Sequence, residues 1–157
     1  MSVRPAKFGD IPRLVELMVE MCGRSRYAGR VNVAEGRVKS ITLGAIKGHP
    51  RRGCLFVGER DEVVESFIVG AVDWIFGIGD RLAAVDPFFY ASPRASARDT
   101  LVLAASYEEW ARSVDGIYEA RLTALDSLGP WDGNEKLYRR LGFSQEGVLY
   151  RKEFAHV

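Results

Sequence analysis

Between Ile11 and Met21 the residues Ile11, Leu14, Val15, Leu17, Met18 and Met21 recur at helical spacing on one face, which predicts an amphipathic helix packed on a core. Asp10 stands at the capping position and Pro12 falls in the first turn, two signals of a helix start. Ahead of this helix Ser2 to Ala6 reads as a short strand, and Gly23 ends the periodic run. The polar, basic stretch 25–30 reads as a loop, and Asn32 is placed to cap a second helix through about Lys47.

After the breaker cluster Gly48-His49-Pro50-Arg51-Arg52-Gly53 the pattern changes period. Cys54 to Gly58 reads as a buried strand, Arg60 to Glu62 as a turn, and Val63 to Ile78 as a second strand antiparallel to the first, with Gly70 marking a bulge or bend. Gly77 to Asp80 turns again. Arg81 to Tyr90 is a third long strand whose Pro87 has no N–H for a ladder, so the strand lies at an edge or is distorted there. A helix follows from about Arg98 to Ser113 with Leu101, Leu103, Ala104, Tyr107, Trp110 and Ala111 on a broad apolar face. Ile117 to Leu125 alternates like a strand, 126–133 is a turn-rich loop carrying Trp131, and a short helix runs from about Asn134 to Leu141, stopped by Gly142. Phe143 to Phe154 reads as two short strands or one bent hairpin. Residues 1–157 are expected to form one mixed α+β domain.

Composition narrows the function. With 47% hydrophobic and 27% charged residues the balance is that of an ordinary globular protein, and a net charge of +1 gives no general attraction to nucleic acid or to an anionic membrane. Cys22 and Cys54 are too few for a disulfide framework and read as reduced core thiols. His49 and His156 are the only histidines, which leaves neither a zinc site nor a Ser-His-acid triad. No leader and no apolar run of roughly 18 residues is present, so a cytoplasmic location is expected.

Candidate chemistry gathers in two places. In the first, the aromatic strand Phe88-Phe89-Tyr90 runs through Ala91-Ser92-Pro93-Arg94-Ala95-Ser96 into the helix that carries Ala97, Arg98, Asp99 and Thr100. The first N–H groups of a helix lack intrahelical partners and lie at the positive end of its dipole, which suits a phosphate, and Arg94 and Arg98 frame the turn. In the second, Asn134 and Tyr138 stand four apart on one helix face, ahead of Gly142 and Phe143.

Together these segments, and the order of elements over nearly the whole chain, resemble the GNAT superfamily of acetyl-CoA-dependent N-acetyltransferases. The resemblance implies a twisted, mostly antiparallel central sheet flanked by helices. It implies acetyl-CoA as co-substrate and no metal, with the turn at Arg94, Ala95, Ser96, Ala97, Arg98, Asp99 and Thr100 holding the CoA diphosphate. Ala97 and Asp99 stand where the family motif has Gly and Gly or Ala. Ala97 still permits a helical backbone, and Asp99 is expected to favour the dipole while pointing away from the ligand, so that the cradle survives. Main-chain groups at Phe89, Tyr90 and Ala91 are expected along the pantetheine arm, and Asn134 and Tyr138 near CoA and its sulfur. Lys136 and Arg139 either reach the CoA phosphates or form a solvated face.

Direct transfer to a primary amine needs a base, because an alkylammonium with a pKa of about 10.4 has no free lone pair. Asp86 is the first candidate, Asp73 the second and Glu59 a distant third; Tyr138 is the candidate acid for the leaving sulfur, and an amide at Phe89 or Ala91 would polarise the thioester oxygen. The acceptor amine is a small molecule or a protein, chosen by the loops at 25–30, 75–81 and 126–133. Trp74, Phe76, Phe88, Tyr90 and Trp131 read either as cleft walls or as core. Two further readings stand beside the enzyme: a catalytically weak GNAT-like CoA-binding module, and a homodimeric interaction domain joined through aromatic strands.

Overall fold

The computed structural model of the protein describes residues 2–124 and 132–154. Strands β1 (Ser2–Pro5), β2 (Gly53–Arg60), β3 (Val63–Trp74), β4 (Leu82–Ala91) and β5 (Ile117–Ala120) lie side by side in chain order. The first four are antiparallel, whereas β4 and β5 run parallel. A parallel pair needs a long crossover, and α3 (Ala97–Ser113) supplies it. Before β2 come α1 (Ile11–Arg24) and α2 (Glu35–Lys47), and α4 (Asp132–Arg140) follows β5.

The helices divide between the two faces of the sheet. On one, Leu14, Leu17 and Met18 of α1 and Val38 of α2 meet Leu55, Val57, Phe67, Val69 and Tyr90. On the other, Leu103, Tyr107 and Trp110 of α3 pack on Cys54, Ile68 and Ala84. The helical period on α1 and the alternation Cys54, Leu55, Phe56, Val57 on β2 therefore produce two cores with the sheet between them. Each buried leucine contributes about 2 kcal/mol.

That alternation is interrupted once, and the site depends on the interruption. Ala71 pairs with Val85 and Val69 with Phe88, so Asp86 and Pro87 together oppose the single residue Gly70. Inserting one residue inverts the faces: Ala84 and Phe89, an odd number of residues apart, both pack toward α3. Pro87 thus lies in an interior strand, in its distorted stretch. Both expectations meet there, because β4 lies between β3 and β5 in the sheet but has no β5 partner beyond Ala84. Opposite it, Gly70 has no room for a side chain, because a Cβ would stand 2.6 Å from Cys54 Sγ and 2.7 Å from Trp110 Cζ3.

Other expectations are corrected. Asp10 does not cap α1 with its side chain; its carboxylate accepts the Lys7 N–H and pairs with the half-buried Arg4, because a bidentate guanidinium outcompetes a helix end. Helix α2 starts after Ala34, not Asn32. Strand β3 stops at Trp74 and enters a single 3-10 turn in which Phe76 takes φ +55°. Strand β5 ends at Ala120, short of its expected length, and Leu125 lies outside the described residues. Among the described residues 143–154 form no strand. Val148, Leu149 and Tyr150 are exposed, since an alternating pattern becomes a strand only where a neighbour takes its N–H groups. Cys54 is buried as expected, but Cys22 is partly exposed. Most of the 126–133 loop, with Trp131, and also His156, lie outside the described residues. Among the described residues no helix is long and apolar enough to cross a membrane.

Gly70→Ala forces Cys54 and Trp110 apart at the bulge and is expected to lower stability by about 1 to 3 kcal/mol, read as a reduced urea midpoint.

Candidate active site

Strands β4 and β5 pair at Leu82 with Ile117, Ala83 with Glu119 and Ala84 with Ala120. The Arg121 N–H then donates to the Ala84 carbonyl at 2.8 Å, and beyond that point the two chains separate. The bulge brings the Asp86 carboxylate to the opening, where it accepts the Thr123 N–H at 2.9 and 3.1 Å and the Thr123 hydroxyl at 2.9 Å. A side chain has taken the place of the next ladder bond. Two phenols complete the join, with Tyr107 donating to the Arg121 carbonyl at 2.9 Å and Tyr138 to the Thr123 carbonyl at 3.0 Å.

The electrostatics follow from burial. Desolvation pushes the Asp86 carboxyl up to about 6, although the bonds from Thr123 favour its charged form. Burial, reinforced by the Asp86 charge, likewise raises Tyr107 and Tyr138 above the ordinary phenol range. Tyr138 is therefore a neutral donor at physiological pH, fixed close to the Asp86 carboxylate.

Its position has a local cause. Gly142 adopts φ +84°, its N–H donates to the Arg139 carbonyl at 3.0 Å, and the Phe143 N–H donates to the Tyr138 carbonyl at 3.0 Å. These two bonds form a Schellman stop, and the Phe143 ring packs at 6.3 Å from that of Tyr138, as the hydrophobic contact of such a stop requires. Asn134 stands one turn earlier, exposed. Arg139 pairs with Glu135 at 2.7 Å, while Lys136 is exposed. A wide cleft between β5, α4 and the segment after Gly142 reaches Thr123 and Tyr138.

The free edge of β4 carries main-chain donors. The Ser92 N–H bonds the Glu65 carbonyl at 2.9 Å, which turns that side of the ladder toward β3. Because direction alternates along a strand, Tyr90 and Phe88 also face β3, and the N–H groups of Phe89 and Ala91 point to the opposite edge, past the end of β5 pairing. The Tyr90 ring meanwhile lies in the core beside Phe67, its hydroxyl donating to Glu20 at 2.9 Å.

The turn into α3 differs from its expected form. The Arg94 N–H is held by the Ser92 hydroxyl at 3.1 Å and the Ala95 N–H by the Ser92 carbonyl at 3.0 Å. Asp99 is 4% exposed and points into the turn, a correction to the expectation that it faces away. It accepts the Ser96 N–H at 2.8 Å and bonds the Ser96 hydroxyl, while the Asp99 N–H donates to the Ser96 carbonyl at 3.0 Å and lies 3.3 Å from its hydroxyl. This is a capping box with aspartate at its third position. Thr100 N–H also returns to Ser96. Only Ala97 and Arg98 then keep N–H groups without a partner among the described residues, so the turn does not fit a diphosphate as a ring of open amides would.

Below the turn sits a residue that sequence reasoning missed. Glu65, 3% exposed, accepts the Ser92 hydroxyl at 2.7 Å and pairs with Arg13 at 3.2 Å and Arg94 at 3.4 Å. Burial raises its pKa, but the Ser92 hydroxyl and the two guanidinium charges outweigh burial and hold it below the usual range. Arg94 is thus tied to a carboxylate of its own chain. Thr123 was missed as well, since nothing in its local sequence announces that it joins Asp86 to Tyr138. A signal existed for Glu65: a carboxylate inside the apolar run of β3 must be paired if it is buried.

The remaining candidates lie apart from the opening. Asp73 is exposed where β3 and β4 remain regularly paired, and its carboxylate accepts the Trp74 N–H. Glu59, on β2, is engaged by Arg4 at 3.0 Å. The proposed aromatic wall does not form: Phe88 and Tyr90 join the core, whereas Trp74 and Phe76 are exposed. Among the described residues no group of three His, Cys, Asp or Glu side chains is arranged to hold a metal ion.

No family model matches the chain, and no curated protein matches it. Solved structures do. A ribosomal-protein-alanine N-acetyltransferase from Brucella melitensis superposes with TM-score 0.66 at 14% identity, over 98% of this chain and 100% of that one. An aminoglycoside 6′-N-acetyltransferase from Acinetobacter haemolyticus gives 0.66 at 16% identity, over 98% and 99%. An aminoglycoside N-acetyltransferase solved in complex with CoA gives 0.67 at 14% identity, over 98% and 95%. The chain has the α+β GNAT fold, as the sequence resemblance implied.

Because folding raises the Asp86 pKa from its ordinary 3.8, the folded state binds the extra proton between about pH 4 and 6, and stability falls as pH rises through that window. Asp86→Asn is expected to remove this fall, worth about 3 kcal/mol for a shift of roughly two units, in melting curves taken from pH 4 to 7.

Proposed function

We propose that the protein is an acyltransferase that moves an acetyl group from acetyl-CoA to a primary amine by direct attack. The observation that carries this reading is the opening between β4 and β5, which has outward amides at Phe89 and Ala91 on one side and, on the other, a chain of hydrogen bonds that joins the buried Asp86 and Tyr138 through the exposed Thr123. In this reading the pantetheine arm lies along β4, an amide at Phe89 or Ala91 polarises the thioester oxygen, and Asn134 contacts CoA. The two unpaired thiols suit the reducing cytoplasm.

The incoming ammonium first loses a proton. Asp86 is the preferred base over Asp73 because its basicity is raised and it stands at the opening; its oxygens bond Thr123, so the proton reaches it through the Thr123 hydroxyl. The amine nitrogen then bonds the carbonyl carbon as the carbon–sulfur bond breaks. As the thiolate takes the proton of Tyr138, the second amine proton passes through solvent to the Tyr138 phenolate and restores the phenol, which leaves an amide and a free thiol.

The binding-module reading starts from the same altered turn, whose amides are engaged by Ser92, Ser96 and Asp99. Calorimetric titration with CoA beside a thiol-release assay over a panel of amines separates the readings. Binding with turnover supports the enzyme, binding without turnover supports the module, and absence of both defeats each. Tyr138→Phe is expected to lower kcat roughly a hundredfold while changing the KM for acetyl-CoA less than about threefold. Undiminished turnover would remove Tyr138 from the acid role.

A further inference from the structure

From the geometry at the start of α3 we infer that the donor is selected through its pantetheine arm and that the nucleotide diphosphate adds almost nothing to binding. The inference rests on the transferase reading and specifies its donor. An anion bound at a helix N-terminus needs main-chain hydrogens that point at it and no competing negative charge. Here the Ser96 N–H already has an anion, the carboxylate of Asp99, at 2.8 Å, and that carboxylate is held by the Ser96 hydroxyl and buried. The Asp99 N–H closes back on Ser96, and the Arg94 and Ala95 N–H groups close back on Ser92. A diphosphate arriving at this turn meets two open amides and a resident negative charge.

The arginines of the turn stay exposed, and two of them already spend one donor within the chain. Arg94 lies 3.4 Å from the buried Glu65 carboxylate, and Arg60 spends one N–H on the Arg94 carbonyl at 2.8 Å. Arg98 is the one arginine of the turn itself outside that cluster. The Phe89 and Ala91 amides, by contrast, are directed to the free edge of β4. The chain therefore offers open main-chain donors to an amide-bearing arm, whereas a phosphate meets exposed arginines but a turn whose amides are mostly closed. A pantetheine thioester satisfies that pattern with or without its nucleotide.

Calorimetry with CoA and with pantetheine, on the wild type and on Asp99→Asn and Asp99→Ala, tests this. The wild type is expected to bind the two thiols with Kd values within about threefold. Both variants are expected to favour CoA over pantetheine by about tenfold more, since removing the charge readmits the phosphate. Asp99→Asn keeps an oxygen for the Ser96 N–H, so it decides the matter if the Ala variant unfolds. Wild-type binding of CoA more than thirtyfold tighter than pantetheine, or an unchanged ratio in folded Asp99→Asn, would overturn the inference and leave the transferase reading standing. Failure of the wild type to bind either thiol would sink both.

Discussion

One inserted residue governs this molecule. Asp86 and Pro87 face the single Gly70, and from that mismatch follow the changed facing of β4, the release of its far half from β5 and the entry of a carboxylate into the gap. The parts depend on one another. Pro87 cannot donate to the ladder, and Gly70 leaves no side chain between Cys54 and Trp110, so the distortion is accommodated where the chain has least to lose. A continuous ladder would have paired Thr123 with main chain. The interruption assigns it to Asp86 and leaves its carbonyl for Tyr138.

Two buried carboxylates then divide the work at the other end of β4. Glu65 fastens the turn to β3 and α1 through Ser92, Arg94 and Arg13, and Asp99 closes the first turn of α3 on Ser96. Each satisfies polar groups that would otherwise be costly to bury. Each also uses a donor that a bound anion would have used. The donors that would serve a phosphate are here the ones that close the turn on itself.

Much of this was legible in the chain. The period of Leu14, Leu17 and Met18 located α1, Gly70 and Pro87 marked the distortion, and Gly142 marked the end of α4, because each effect is local to a few residues. The spacing of Asn134, Tyr138, Gly142 and Phe143 also had a local meaning, since a helix stop of this kind fixes its own partners at those intervals. Less was legible at Asp99. The pattern of Ser96 and Asp99 is that of a capping box, but the same carboxylate suits the helix dipole whether it turns inward or outward. The segment 143–154 has a strand's composition without a strand's neighbour.

The sequence by itself determined where α1, α2 and α4 stop, which residues of α1 and α3 face the core, and which position had to be glycine or proline, because those depend on dihedral preference and on periods of a few residues. Tertiary structure alone decided that Thr123 lies between Asp86 and Tyr138, that Glu65 supports Ser92 and Arg94, and that Asp73 and Glu59 stand away from the opening. Those outcomes depend on strand register and on pairings between residues far apart in the chain, and no local preference of a side chain encodes them.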